Sequence, residues 1–397
     1  MSTPNRVNIR TPDVMAHVHA QVEKHYPSEL VEKIRTQGGV IQVGNTTIRL
    51  AKEFGFCYGV ERAIDLAYAA GKIFTDRRIF LLGEIIHNPD VNAQMDALGI
   101  QHLAAHPSNA DLNNLRADDV VIVPAFGAEV SVIAAVKAHG CQIVDTTCGD
   151  VMSVWKRVRQ NATERVTSII HGKASHEETR ATASRALGGD GLGHFVIVLD
   201  LKESQKVADF IVHGGEPAEF LATFRGAVSP GFDPLQHLQR IGVANQTTML
   251  RSETEAIQNM LREAVAKRDD GSTANFRYFD TICGATQDRQ DALFQLMNES
   301  LDMLMVVGGY NSSNTTHLAE IGSEKLPTWF IRNADCLNSE KEIRHFDLHL
   351  KKEIVSTDWL PDRKNLTIGI TAGASCPNSL IEDTLRRLLE LRGESIG

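Results

Sequence analysis

The sequence predicts an α/β chain built of parallel layers, and three observations carry that prediction. From about Asn45 onward, short apolar β-prone runs alternate with segments of helical periodicity, the mark of repeated strand–helix units. Polar and glycine-containing turns follow the carboxyl ends of the strand candidates, where open α/β sheets bind ligands. Three of the strand-to-helix turns each hold one cysteine. Two of them share their wording, Asp145-Thr146-Thr147-Cys148-Gly149 and Asp280-Thr281-Ile282-Cys283-Gly284.

The strand candidates, in order, are 47–50, 79–82, 120–123, 142–144, 168–170, 195–199, 241–244, 304–307, 329–331 and 366–370, each a run rich in Val, Ile, Leu or Phe. Helical patterns lie between most of them. After Phe54-Gly55-Phe56-Cys57-Tyr58-Gly59, for example, Val60, Ala63, Ile64 and Ala67 fall on one helical face. The stretch 187–240 breaks the rhythm with a Gly-rich run at 187–193 and a Pro-containing turn at 229–234, and reads as elaboration of a middle domain. Neither a low-complexity tract nor a solenoid period is present.

With 397 residues the chain is long enough for two or three domains, and its 42% hydrophobic and 23% charged residues are those of a soluble globular protein. A net charge of −9 argues against a general nucleic-acid surface and against anionic membranes. No apolar run approaches the roughly 20 residues that span a bilayer. The first 46 residues read as an N-terminal extension with helical character. Asp13, Glu23, Glu29 and Glu32 fit a transit peptide poorly, and a signal-peptide apolar core is missing, so the reading is cytoplasmic. Six unclustered cysteines suit a reducing compartment.

A cysteine opening a helix is readily a thiolate, because the helix's positive end and free N–H groups favour the anion, and thiolate is the metal-binding form. Three such turns, at Cys57, Cys148 and Cys283, would make a three-thiolate site if they converged. Structural zinc takes four protein ligands, whereas an iron–sulfur cluster on three thiolates leaves one iron open. Each cysteine taken singly is equally a small core hydrophobe. Ser312, Ser313, Asn314 and Ser375 are short donors at helix-opening turns and suit phosphate oxygens, though the same residues are ordinary N-caps. His87 and His176 could add donors to the same anion, or be solvated. Glu178 suits a proton relay or a helix-opening acid, and Thr247 a partner for it or a plain strand end. No Walker phosphate loop, dinucleotide turn or His-Glu-x-x-His is present, which leaves ATP, nicotinamide and zinc-protease chemistry unsupported.

Taken as a set, Gly55-Phe56-Cys57-Tyr58-Gly59-Val60, Asp145-Thr146-Thr147-Cys148, Asp280-Thr281-Ile282-Cys283, Asn311-Ser312-Ser313-Asn314 and Thr371-Ala372-Gly373-Ala374-Ser375 resemble the 4-hydroxy-3-methylbut-2-enyl diphosphate reductases. The resemblance runs in order from about Leu50 to Leu391. It implies three similar α/β domains in pseudo-threefold arrangement around a central iron–sulfur cluster, expected here at 47–147 (Cys57), 148–282 (Cys148, with the 187–240 insertion) and 283–397 (Cys283). It implies a [4Fe–4S] cluster with Cys57, Cys148 and Cys283 as ligands and one open iron. His87, His176, Ser312, Ser313, Asn314 and Ser375 match diphosphate binders, Glu178 the proton donor and Thr247 its hydroxyl partner. The reaction implied is the two-electron removal of the substrate's hydroxyl, giving isopentenyl and dimethylallyl diphosphate, with ferredoxin or flavodoxin as electron donor.

Two departures mark the chain. Pro124-Ala125-Phe126-Gly127-Ala128 stands where many bacterial members carry Ala-His-Gly; the plant and cyanobacterial branch has the phenylalanine form, together with His171-Gly172-Lys173. Lys173 is the cation nearest in sequence to compensate the lost histidine, the alternative being that it is solvated. Gly149-Asp150 follows Cys148 where the family usually has Cys-Pro. The rival readings are a non-redox iron–sulfur sensor of a phosphorylated metabolite, which needs no acid at Glu178, and a zinc-stabilised binding module.

Overall fold

The computed structural model describes residues 9–279 and 281–396. Asp280, part of the repeated cysteine wording, and the first eight residues of the N-terminal extension lie outside the described residues. In chain order the strands begin with β1 (Val40–Val43), β2 (Thr46–Leu50), β3 (Ile79–Leu82), β4 (Gln101–Leu103), β5 (Val120–Val123) and β6 (Gln142–Asp145). The next are β7 (Thr167–His171), β8 (Phe195–Val198), β9 (Ile241–Asn245) and β10 (Phe276–Tyr278). The last are β11 (Met303–Val307), β12 (Thr328–Ile331), β13 (Glu342–Asp347), β14 (Lys352–Thr357) and β15 (Leu366–Ala372).

They form three α/β sheets and a separate hairpin, in the orders β1-β2-β15-β11-β12, β4-β3-β5-β6 and β10-β9-β7-β8, with β13-β14 apart. Except for the antiparallel β1–β2 and β13–β14 pairs, every ladder is parallel. Parallel strands are covered on both faces, which explains their continuous apolar runs. Val120–Val123 and Met303–Val307 are buried at every position.

By contacts the chain divides into two compact units. The first comprises Met1–Thr75, Glu84–Ile100 and Gly284–Gly397, and the second Asp76–Gly83 and Gln101–Cys283. The first holds the five-stranded sheet and the hairpin, and the second holds both four-stranded sheets. The segment 47–147 does not close as one layer, because β2 runs parallel to β15 with Ile48 opposite Ile368 and Leu50 opposite Ile370. The Cys57 turn therefore belongs with the C-terminal strands. Each α/β sheet nevertheless sends one strand into a cysteine turn: β2 to Cys57, β6 to Cys148 and β10 to Cys283.

The N-terminal extension is helical at Pro12–His25 and Glu29–Thr36. In the second unit, the 187–240 stretch contributes β8 and the helices Leu201–His213 and Pro217–Thr223. Phe220, Phe224 and Phe232 pack with Ile169, Val196, Val198, Ile241 and Val243 of the sheet in one core cluster. That shared core makes the insertion an elaboration of its sheet.

Candidate functional site

In the first unit β2, β15 and β11 are adjacent and parallel, so the turns at their carboxyl ends open on one edge. Cys57 is the residue capping the helix Tyr58–Ile73, and its N–H donates to the Ala374 carbonyl at 3.2 Å. The preceding turn requires glycine: Gly55 has φ +84°, and a Cβ there would lie 2.5 Å from Asn378 Oδ1. Arg289, on the helix Gly284–Leu296, donates from Nη2 to the Gly55 carbonyl at 2.5 Å.

The Ser312 hydroxyl caps the helix Ser313–Ser323, and Asn314 Oδ1 accepts the Ala374 N–H at 3.0 Å. Ser375 donates its hydroxyl to the His87 carbonyl at 3.3 Å, while Asn88 Nδ2 donates to the Ser375 carbonyl at 2.9 Å. Gly309 fits close beneath His87, where a Cβ would come within 2.2 Å of its carbonyl oxygen. The structure thus brings His87, Ser312, Ser313, Asn314 and Ser375 to the turns around Cys57. Asn314 Nδ2, Thr315 Oγ1 and Thr371 Oγ1 are buried there without a hydrogen-bond partner among the described residues. Unmet buried donors are uncommon in a native fold, and a cluster of them on a strand-end edge suits an anionic ligand.

In the second unit β7 and β9 are adjacent and parallel, which sets the loops 172–178 and 246–248 side by side. His176 caps the helix Glu177–Ala186, its Nδ1 accepting the Glu178 N–H at 3.1 Å. Glu178 is only 3% exposed. Its Oε1 accepts the Thr247 N–H at 2.6 Å and its Oε2 the Thr247 hydroxyl at 3.0 Å. The Thr247 carbonyl in turn accepts the Cys283 N–H at 3.2 Å. One threonine therefore orients the carboxyl group and ties it to a cysteine turn. Gln246 braces the same loops, accepting from Thr179 Oγ1 at 2.9 Å and donating to Thr248 Oγ1 at 2.8 Å.

At the end of β6, Asp145 Oδ1 accepts both the Thr147 N–H at 3.0 Å and the Thr147 hydroxyl at 2.5 Å, and the Cys148 N–H donates to the Ala125 carbonyl at 2.8 Å. Phe126, next along, meets His176 edge to face with ring centroids 6.3 Å apart. Lys173 is exposed, and its backbone N–H donates to Gln246 Oε1 at 3.2 Å, so its side chain fits the solvated alternative.

Residues 48–389 match the family described as LytB protein. The chain belongs to the LytB family. A 4-hydroxy-3-methylbut-2-enyl diphosphate reductase of Thermosynechococcus vestitus is 46% identical to it over 94% of this chain and 92% of that protein. A reductase of the same description from Gloeobacter violaceus is 45% identical over 95% of this chain and 91% of that one. Among solved structures, one of (E)-4-hydroxy-3-methyl-but-2-enyl diphosphate reductase, described as the terminal enzyme of the non-mevalonate pathway, aligns with TM-score 0.53 and 26% identity. It covers 88% of this chain and all of that one. The fold is also shared with a Plasmodium falciparum E-1-hydroxy-2-methyl-but-2-enyl-4-diphosphate reductase, at TM-score 0.62 and 21% identity over 86% and 87% of the two chains.

The cysteines of this LytB chain fall into two groups. Cys57 and Cys148 cap helices, Cys283 immediately precedes one, and all three are partly accessible. Three accessible thiols at helix-opening turns are the kind of donor set that an iron–sulfur cluster takes. The others do not. Cys336 and Cys376 are buried, and burial pushes the Cys376 thiol well up. The Cys141 thiol is raised by burial and by Asp119, and it donates to the Arg116 carbonyl at 3.3 Å.

Sequence reasoning did not single out Asn88 or Arg289. Asn88 had a readable signal, since Asn before Pro89 marks a helix start, and it does cap Pro89–Ala97. Arg289 had none, because its partner Gly55 is remote in sequence.

Proposed function

We propose that this LytB-family chain catalyses the two-electron reductive dehydroxylation of (E)-4-hydroxy-3-methylbut-2-enyl diphosphate to isopentenyl and dimethylallyl diphosphate. The observation that carries the reading is the Glu178–Thr247 pair, a buried carboxyl group held at both oxygens by one threonine whose carbonyl receives the Cys283 N–H. Such a carboxyl suits proton delivery beside a metal site and has no purpose in a sensor.

Cys57, Cys148 and Cys283 would hold a [4Fe–4S] cluster with one open iron. When bound, the cluster would pass on electrons one at a time from the external donor, two per turnover, and would offer a Lewis-acidic position for the substrate's hydroxyl. The turns carrying Ser312, Ser313, Asn314, Ser375 and His87, with His176, bind the diphosphate: the buried unpaired donors there gain acceptors when phosphate oxygens arrive. Glu178 delivers a proton as the C–O bond breaks, so that hydroxyl leaves as water. The second proton ends on either of two allylic carbons, which gives the two products. Two electrons and two protons enter, and one water leaves.

Ferredoxin or flavodoxin fits as the one-electron donor and the cytoplasm as the compartment. Among the described residues no helix is long and apolar enough to cross a membrane. The test is anaerobic turnover of the hydroxylated diphosphate with a strong chemical reductant. Both five-carbon products should form in the intact protein and neither in Glu178→Gln at comparable rates. A brown, iron-replete protein without turnover would overturn the reading.

A further inference from the structure

The second unit contains a cavity of about 470 Å³ whose wall includes Asp145 and Thr147, residues of the turn that delivers Cys148. Arg185, on the helix Glu177–Ala186, lines it while only 7% exposed. Its Nη1 donates to the Ala128 and Ala181 carbonyls at 2.8 and 2.7 Å, and its guanidinium carbon lies 3.2 Å from the centroid of the Trp155 ring. Those contacts use one end and one face of the group. Nε is buried without a partner and Nη2 makes no hydrogen bond among the described residues. Nε and Nη2 form the edge on which a guanidinium receives two oxygens of a carboxylate or phosphate.

No carboxylate lies within hydrogen-bonding reach of Arg185 among the described residues; burial, with Arg159 nearby, lowers its pKa to about 10 despite the more distant Asp145 carboxylate. A buried cation with no directly bonded carboxylate is costly, and an entering oxyanion relieves that cost. Arg159 and Lys137 add two further cations to the wall, against the single carboxylate of Asp145, which Thr147 already engages. The rest of the wall is hydrocarbon: Val123, Val130, Ile133, Ala134, Ile143 and Met152. Val130 and Met152 are 47% and 42% exposed, apolar surface that an apolar occupant would cover.

We propose that this cavity binds a small amphiphilic anion, with its oxyanion head on the Nε/Nη2 edge of Arg185 and a hydrocarbon tail along the Ile133–Ala134 wall. The volume lies in the usual range for small-molecule sites and admits a tail of about ten carbons. The occupant would touch Thr147, and so the Cys148 turn, from within the second unit. No residue of its wall belongs to the proposed diphosphate turns, and the inference does not depend on the reaction assigned to them. A phosphate ester and a carboxylate share the required chemistry.

Isothermal titration of the intact, cluster-bearing protein with geranyl diphosphate and, separately, with decanoate tests the proposal. Saturable binding of either probe that the cavity variants below weaken is expected, and the probe so affected identifies the head group; heat from geranyl diphosphate that those variants leave unchanged belongs to the diphosphate turns and counts against the proposal. Arg185→Met should weaken that binding about tenfold or more, the loss expected for a hydrogen-bonded charged pair. Because Arg185 is buried, two variants at exposed positions guard against misfolding: Ala134→Trp should block the tail, and Arg159→Glu should weaken binding several-fold. Inorganic diphosphate, which lacks a tail, should bind at this cavity more weakly than geranyl diphosphate. Absence of saturable heat with both probes overturns the proposal, as does affinity unchanged in Ala134→Trp and Arg159→Glu.

Discussion

The two compact units use parallel strand ends in opposite ways. In the first, the turns after β2, β11 and β15 present short neutral donors, three of them buried and unpaired, packed so closely that glycine is needed at positions 309 and 373. In the second, the turns after β7 and β9 present an acid whose two oxygens are already occupied by Thr247. Under the proposed function the donors of the first unit stay unmet until the diphosphate arrives and then contribute to binding. Under the same proposal the acid of the second unit is oriented in advance, because proton delivery depends on a fixed orientation.

The largest test of that contrast is the thiols. Serine at Cys57, Cys148 or Cys283 is expected to abolish both iron content and turnover, since a three-thiolate site has no spare ligand. Alanine at Cys141 or Cys336 should leave iron stoichiometry intact; iron analysis beside activity separates the groups.

Next in size, Glu178→Gln should lower the turnover number by roughly 10²- to 10⁴-fold, the usual share of a positioned acid, with a nearly unchanged Michaelis constant. Glutamine retains the shape and an acceptor for Thr247 but has no suitably acidic proton. A variant that instead raised the Michaelis constant would place Glu178 among the binders and erase the contrast.

Smaller effects of the opposite kind are expected in the first unit. Ser375→Ala and Asn314→Ala should each raise the Michaelis constant about tenfold, as for one hydrogen bond to a charged ligand, and change the turnover number less. If either acted mainly on turnover, the division of labour between the units would be wrong.

The smallest expected effect concerns pH and the second unit alone. His194 and His237 stack with centroids 3.5 Å apart, and burial lowers both below their ordinary value of 6.5. The unfolded chain therefore binds more protons than the folded one just below that value. The pair's contribution to stability is fully present above about pH 6.5 and is lost as pH falls through that value toward the folded-state pKa. Melting temperatures measured between pH 5 and pH 7.5 should fall less steeply in His194→Gln/His237→Gln than in the parent. His345, whose pKa burial also lowers, remains in both proteins and so cancels from the comparison.

The sequence by itself determined the class of the fold, the strands with continuous apolar runs, and the turns that carry chemistry. β3, β5 and β11 are apolar and buried at every position, and β2, β6 to β9, β12 and β15 each keep a shorter apolar run, so all of these were legible. The short edge strands β1, β4 and β10 and the polar hairpin β13–β14 were not, because three or four residues at an edge, or a half-exposed antiparallel ladder, leave little periodic signal. The polar residues Ser312, Asn314, Ser375, Glu178 and Thr247 stood out because each interrupts or follows an apolar run. Only the tertiary structure decided which turns share an edge. Pairing of β2 with β15 joins segments more than half the chain apart, and nothing in local periodicity records a partner at that distance. The same holds for Arg289 against Gly55: the donor is visible in the sequence, but its acceptor is chosen by the packing of distant segments.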